Sequence, residues 1–191
     1  IMRSRVVLNA IDQWAEDYRG RNRIGNFSPK VNVAAISGGW AWRGARSPDS
    51  CSVFVDVRTL PDVMPTDILR EMRGIVNEVN HSNPGLEARA ELYVSNPGTS
   101  IPDDHDLVNV ITGAHSEQLG VAPEMSMEVW CSDAMHMNRY GVPSVNYGAA
   151  GRIRDGGEGW STQQGEHVHI RDLIDMTKIY VRVAAAWCGV E

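Results

Sequence analysis

The chain has 191 residues, of which 42% are apolar and 22% charged, and its formal net charge is −6. This length is enough to bury a hydrophobic core and allows one or two domains. The negative net charge argues against a basic surface that would bind nucleic acids or anionic membranes. No apolar run approaches the roughly 20 residues that span a bilayer. We therefore expect a cytoplasmic globular protein with neither a nucleic-acid nor a membrane partner.

One helix and two strands are predicted near the start of the chain. Residues 4–19 place apolar side chains at the spacing of an amphipathic helix. The runs KVNVAAISGG (30–39) and SCSVFVDVRTLP (50–61) alternate between apolar and polar side chains, as strands do.

A second helix and a third strand follow. Apolar residues recur at helical spacing after Pro65, and Asn83-Pro84-Gly85 ends the helix before the predicted strand LEARAELYV (86–94). The order helix, strand, strand, helix, strand is that of a split βαββαβ unit without its first strand, which we expect upstream of Ile1.

A stretch rich in proline, glycine and serine, from about Pro97 to Asp103, is predicted to be a linker. After it the pattern alternates between helices and short strands, which is typical of a mostly parallel sheet. The predicted helices are 104–119, 133–140 and 171–187, and the predicted strands are 126–130 and 143–148.

The three cysteines are odd in number, far apart and in no CxxC pair. This pattern argues against both a disulfide framework and a thiolate zinc site. We expect Cys51, Cys131 and Cys188 to be buried thiols.

Four stretches of the sequence resemble one family in order and spacing: VNVAAISGG, SPDSCSVFVDVRTLP, CSDAMHMNRYGVPSVNYG and GEHVHIRDLIDMTKIY. The family is that of the zinc amidohydrolases and peptidases that include acetylornithine deacetylase, succinyl-diaminopimelate desuccinylase, aminoacylase and carboxypeptidase G. The resemblance implies an α/β fold in which a ferredoxin-like lid, or dimerisation domain, is inserted into a catalytic domain. Residues 1–98 would be that lid without its first strand, and residues 103–191 the C-terminal segment of the catalytic domain.

The resemblance also implies a two-zinc site, most of whose ligands lie in the half that precedes the lid. This chain has no HxD pair followed by a Glu-Glu pair. We therefore expect zinc in the intact family member and none bound by this chain alone.

The segment GEHVHI (165–170) carries a carboxylate and two imidazoles. In the family the last metal ligand is a histidine four residues before a glutamate. Glu166 matches the glutamate, as a hydrogen-bond acceptor near the mouth of the site, but Thr162 stands where the histidine would be. A shifted register would make His167 the ligand. The alternatives are a surface carboxylate at Glu166 and an extended segment with His167 and His169 on one half-exposed face.

Three more residues are candidates for substrate binding by the same resemblance. Arg58 matches an arginine of the lid that faces the cleft and holds a substrate carboxylate, a role suited to its two-pronged donors. Its alternative is an ion pair with Asp56 on the same strand face. Ser132 and Asp133 match an element that borders the cleft, and their alternative is to cap the following helix.

Two functions remain open from the sequence. The first is part of a zinc-dependent amidohydrolase or metallopeptidase, homodimeric through the lid, that hydrolyses an amide bond of an N-acyl amino acid or a small peptide-like substrate, with this chain alone inactive. The second is a non-catalytic oligomerisation or small-ligand-binding module derived from that family, in which copies pair through helix 4–19 and an exposed strand edge.

Overall fold

The computed structural model describes residues 2–25, 27–127, 130–149, 165 and 167–189. Within these residues there are five helices and two strands: α1 (Ser4–Arg21), β1 (Val31–Gly38), β2 (Cys51–Val57), α2 (Pro65–Ser82), α3 (Asp106–Leu119), α4 (Ala134–Arg139) and α5 (Ile170–Cys188). This mixture of helix and strand is compatible with the predicted α/β class. The chain divides into two compact units, one formed by Ile1–Thr99 with Met127–Cys131 and the other by Ser100–Ser126 with Ser132–Glu191.

All five predicted helices are present, because local signals fix where they begin and end. Pro65 lies in the first turn of α2, where its missing N–H and fixed φ are tolerated. Gly120 and Gly189 end α3 and α5 with φ of 75° and 66°, a left-handed conformation that glycine adopts without steric cost. No helix in the described residues is long and apolar enough to cross a membrane.

The first unit is built on an antiparallel hairpin. β1 pairs with β2 from Val31 opposite Val57 to Gly38 opposite Cys51, with an irregularity between Val33 and Ala35. α1 and α2 pack together, and the buried core of this unit comprises Trp14, Ala15, Tyr18 and Ile68.

The predicted third strand, 86–94, is wrong for the described residues, since this segment joins no strand ladder. Its burial nevertheless alternates, with residues 86, 88 and 90 partly buried and residues 87, 89 and 91 exposed. Side chains of α2 satisfy part of its backbone: Asn80 Nδ2 donates to Ala88 O and Asn80 Oδ1 accepts from Ala88 N, both at 2.9 Å. The segment therefore has a strand's side-chain pattern but no hydrogen-bonded partner strand among the described residues.

The second unit is centred on the pair α3 and α5, and Ala114, Met176 and Ile179 form a buried core cluster between these helices. The predicted strand 143–148 is wrong, since these residues form no ladder in the described part of the chain. Side-chain contacts hold this segment instead: Tyr147 Oη lies 2.7 Å from His115 Nδ1, and the Tyr180 hydroxyl donates to Tyr147 O.

Another predicted strand, 126–130, includes residues 128–129, which lie outside the described residues. The described residues 126, 127 and 130 belong to no strand.

Candidate functional site

Arg58 follows β2 directly, and its main chain is held on two sides. Its N–H donates to Lys30 O at 2.8 Å, and its carbonyl accepts a hydrogen bond of 3.1 Å from the hydroxyl of Tyr18. The side chain forms the predicted alternative contact, because Nε donates to Asp56 Oδ2 at 2.8 Å. The side chain of Arg58 is still 33% exposed, so this ion pair leaves room for a ligand and the substrate-binding role stays a prediction.

The same guanidinium contacts a cysteine. Arg58 Nη1 lies 3.3 Å from Cys131 Sγ, and Asn96 Nδ2 lies 3.9 Å from the same sulfur. We call Arg58, Asp56, Asn96 and Cys131 the Arg58 cluster. The guanidinium of Arg58 and the amide of Asn96 both contact the Cys131 sulfur, and both are hydrogen-bond donors of the kind that a carboxylate ligand requires.

Sequence reasoning did not find Cys131 or Asn96. Cys131 is 73 residues from Arg58 and 35 residues from Asn96, so no local pattern connects them. The prediction of three buried thiols is also wrong: Cys131 and Cys188 are exposed and Cys51 is partly buried. Cys188 is the last residue of α5.

Ser132 and Asp133 precede the short helix α4. Asp133 takes the N-cap position with φ −66° and ψ −12°, and its side chain makes no capping hydrogen bond. The capping interpretation is therefore wrong for Asp133, because a capping side chain needs an extended backbone to reach the free amides. The Asp133 side chain is exposed, and the substrate-binding role of Ser132 and Asp133 stays a prediction.

The GEHVHI segment is described only in part, because Glu166 lies outside the described residues, as does Thr162 before the segment. The His167 and His169 rings are both exposed and contact each other edge to face, with centroids 5.5 Å apart. His167 Nδ1 lies 3.0 Å from Gly165 O, and His169 is the residue before α5. The two rings thus lie on the same side of an extended segment.

The described residues do not fit a zinc ion by themselves. Nowhere in the described ranges do three or more His, Cys, Asp or Glu side chains converge as metal ligands would. His167 supplies one imidazole, and its role as a ligand stays a prediction. The Arg58 cluster belongs to the first unit, whereas Ser132, Asp133 and His167 belong to the second.

The sequence of the chain is similar to those of a deacetylase and a deformylase. The chain is 28% identical over 159 residues to acetylornithine deacetylase from Myxococcus xanthus, covering 83% of this chain and 38% of that protein. It is 23% identical over 174 residues to N-formyl-4-amino-5-aminomethyl-2-methylpyrimidine deformylase from Bacillus subtilis (strain 168), covering 83% of this chain and 38% of that protein. Acetylornithine deacetylase from Yersinia pestis is 31% identical over 93 residues, covering 49% of this chain and 23% of that protein.

These relatives confirm the resemblance found in the sequence. No protein-family model matches the chain. The chain spans about 38% of the length of the first two relatives.

Proposed function

We propose that this chain is the lid and C-terminal part of a zinc-dependent enzyme. The premise is that the chain is a relative of the amidohydrolases that include acetylornithine deacetylase. The proposed enzyme hydrolyses the amide bond of an N-acyl amino acid or a small peptide-like substrate. The observation that carries the proposal is the alignment of 83% of the chain with both a deacetylase and a deformylase. Both names describe removal of a small acyl group, so the shared reaction class is amide hydrolysis.

The first unit has features that support a ferredoxin-like lid. β2 pairs with β1 on one side, and its other edge has no strand partner in the described residues. Tyr93, in the segment 86–94, contacts Phe54 of β2 edge to face with ring centroids 6.0 Å apart. A strand between β2 and this segment would complete a four-stranded sheet, as the split βαββαβ arrangement requires. In this proposal the lid also forms the homodimer contact.

The second unit has an apolar helix face that supports its place in a larger catalytic domain. α5 packs on α3 through Met176 and Ile179. A further set of its apolar side chains is exposed, including Ile170 at 77%, Leu173 at 59% and Val181 at 65%. Contiguous exposed apolar surface of this kind marks a contact that is made elsewhere.

The site residues have the following roles in the proposal. Arg58 holds a carboxylate of the substrate, and Ser132 and Asp133 border the cleft. Glu166 would accept a hydrogen bond from the substrate, and His167 would serve as one ligand of the metal. No group of three or more metal-ligating side chains converges in the described residues, and in the proposal the remaining zinc ligands come from another segment of the intact enzyme. The chain by itself is therefore expected to be inactive.

A chimaera tests the proposal. This chain replaces the aligned segment of the Myxococcus xanthus acetylornithine deacetylase, and the product is assayed against N-acetyl and N-formyl amino acids with and without zinc. We expect zinc-dependent hydrolysis by the chimaera and none by the 191-residue chain alone.

Two controls make the result decisive. Circular dichroism and a cooperative melt show whether the chimaera is folded, and the unaltered deacetylase gives the reference rate. A folded chimaera that hydrolyses no member of the substrate panel would contradict the proposed function. Zinc-dependent turnover by the isolated chain would contradict the assignment of the metal ligands to another segment.

A further inference from the structure

The loop between β1 and β2 exposes two tryptophans and two arginines. This loop, which we call the tryptophan loop, comprises residues 39–50 with the sequence GWAWRGARSPDS. Trp42 is 72% exposed and Trp40 41% exposed. Most hairpin loops have about 2–5 residues, and much longer ones are usually functional.

The loop is folded on itself. Arg43 N donates to Trp40 O and Arg46 N donates to Arg43 O, each at 3.0 Å, so two turns follow one another. The guanidinium carbon of Arg43 lies 4.6 Å from the Trp42 ring centroid, and that of Arg46 lies 5.6 Å from the Trp40 ring centroid. Each arginine is therefore held against an indole before any ligand binds, which reduces the conformational entropy that binding would remove.

The loop carries two basic side chains, Arg43 and Arg46, and one acidic side chain, Asp49. Several other arginines make ion pairs with the chain's own carboxylates: Arg19–Glu16, Arg21–Glu71, Arg58–Asp56 and Arg70–Asp67. Neither Arg43 nor Arg46 has such a pair within the described ranges of the chain, although the chain has 24 acidic residues. Two pre-ordered guanidinium groups without a carboxylate partner are complementary to an acidic ligand.

We propose that the tryptophan loop binds an acidic peptide segment of another protein. Arg43 and Arg46 each take a carboxylate, since a guanidinium that stacks on a ring keeps its N–H edge for two-pronged bonding. Trp40 and Trp42 contact the apolar side chains that lie between those carboxylates. Tryptophan and arginine are the residue types that contribute most at protein interfaces.

An anionic membrane is the other surface that exposed tryptophan and arginine fit. The net charge of −6 disfavours a membrane more than a short peptide, since a membrane surface extends beyond the loop and would face the acidic remainder of the chain. The proposal does not depend on the hydrolase function.

The test is fluorescence anisotropy with a labelled synthetic peptide that alternates glutamate with leucine and phenylalanine. A peptide with glutamine in place of every glutamate is the matched probe. We expect saturable binding of the acidic peptide that weakens as salt rises from about 20 to about 150 mM. The glutamine peptide is expected to bind at least about tenfold more weakly.

Variants of the protein identify the surface. The double substitution Arg43→Gln with Arg46→Gln, and separately Trp42→Ala, are each expected to weaken binding about tenfold. Arg171→Gln and Trp187→Ala, both at exposed positions of α5, are the matched controls and are expected to bind like the unaltered chain. Circular dichroism verifies that every variant is folded.

Several results would overturn the proposal. They are the absence of saturable binding, equal binding of the glutamine peptide, and equal losses in the loop variants and the α5 controls. Binding to phosphatidylserine vesicles without binding to the acidic peptide would assign the loop to a membrane instead.

Discussion

The indole N–H of Trp14 on α1 donates a hydrogen bond of 2.6 Å to Oε2 of Glu71 on α2. The guanidinium of Arg21 also bonds to both oxygens of this carboxylate. Partial burial alone would raise the pKa of Glu71, but the hydrogen bonds from Arg21 and Trp14 outweigh it and lower the pKa below its ordinary value of 4.5. The carboxylate of Glu71 thus links α2 to α1 by hydrogen bonds.

Glu71→Gln is expected to destabilise the protein by about 1 kcal/mol at neutral pH, because the amide replaces a charged acceptor shared by Arg21 and Trp14. The free energy of unfolding from urea titrations measures this change. Glu78→Gln, at an exposed position of α2, is the control and should change stability by less than about 0.5 kcal/mol.

The pH dependence gives a second measurement on the same pair of proteins. A carboxyl group whose folded pKa is lowered stabilises the fold above its unfolded pKa, and this contribution is lost as pH falls through the folded pKa. The difference in stability between the unaltered protein and Glu71→Gln should therefore shrink below pH 4.5. A difference that stays constant into acid would refute the role of the charge.

Tyr18 should titrate abnormally late. Its side chain is fully buried, and burial, followed by the negative charge of Glu71, raises its pKa from 10.0 to about 12, although Arg21 partly offsets this. Because the folded pKa is the higher one, the stability linked to Tyr18 is complete below pH 10 and is lost as pH rises through about 12.

Tyr18→Phe is expected to cost about 1 kcal/mol at neutral pH through loss of the hydrogen bond to Arg58 O. It should also make the loss of stability in alkali less steep. Phenolate absorbance of the folded protein measures the ionisation of its tyrosines. The Tyr18→Phe variant should lack the late ionisation that belongs to Tyr18. Tyr140→Phe, at a position 82% exposed, is the control and should change stability by less than about 0.5 kcal/mol.

The accuracy of the sequence predictions depended on how local each structure is. α1 and α2 were predicted because apolar spacing, Pro65 and Asn83 are signals within one segment. The alternation of apolar and polar residues in 86–94 correctly predicted which side chains of the segment are partly buried, but it did not predict the backbone hydrogen bonds. Those bonds depend on a partner strand, which the sequence of the segment does not specify. The contact between Arg58 and Cys131 was beyond prediction for the same reason, because only folding brings together residues so far apart.

Two glycines should respond in opposite ways to alanine. A Cβ at Gly98 would lie 2.9 Å from Pro61 Cα and 3.0 Å from Pro61 N, whereas one at Gly74 within α2 would meet nothing within 4 Å. Gly98→Ala is expected to destabilise by about 1–3 kcal/mol through this backbone clash. Gly74→Ala should stabilise by about 0.5–1 kcal/mol because alanine favours the helix. Urea titrations measure both, and a change of the same sign in the two variants would contradict the prediction.

Ile179 should be a main contributor to the core of the second unit. Its side chain is 0% exposed and packs with Ala114 and Met176. Ile179→Ala is expected to cost about 2–4 kcal/mol, since it removes buried methyl groups and leaves a cavity. Val181→Ala on the same helix removes an exposed side chain and should cost less than about 0.5 kcal/mol. Faster amide hydrogen exchange in α3 and α5 of the first variant, but not the second, would localise the effect.

Arg58 offers a functional prediction that rests on the proposed hydrolase. In the chimaera, Arg58→Lys keeps the positive charge but loses the fork that contacts Asp56 and Cys131, so the KM of a carboxylate-bearing substrate should rise about tenfold or more with little change in kcat. A substrate with a carboxamide in place of the carboxylate should show no such rise. Arg70→Lys, whose side chain is 77% exposed and pairs with Asp67, is the control and should leave both constants unchanged. An equal rise in KM for the carboxamide substrate would contradict this role. Arg58 would then be a structural residue, which holds Cys131 and Asp56 in place without contacting the substrate.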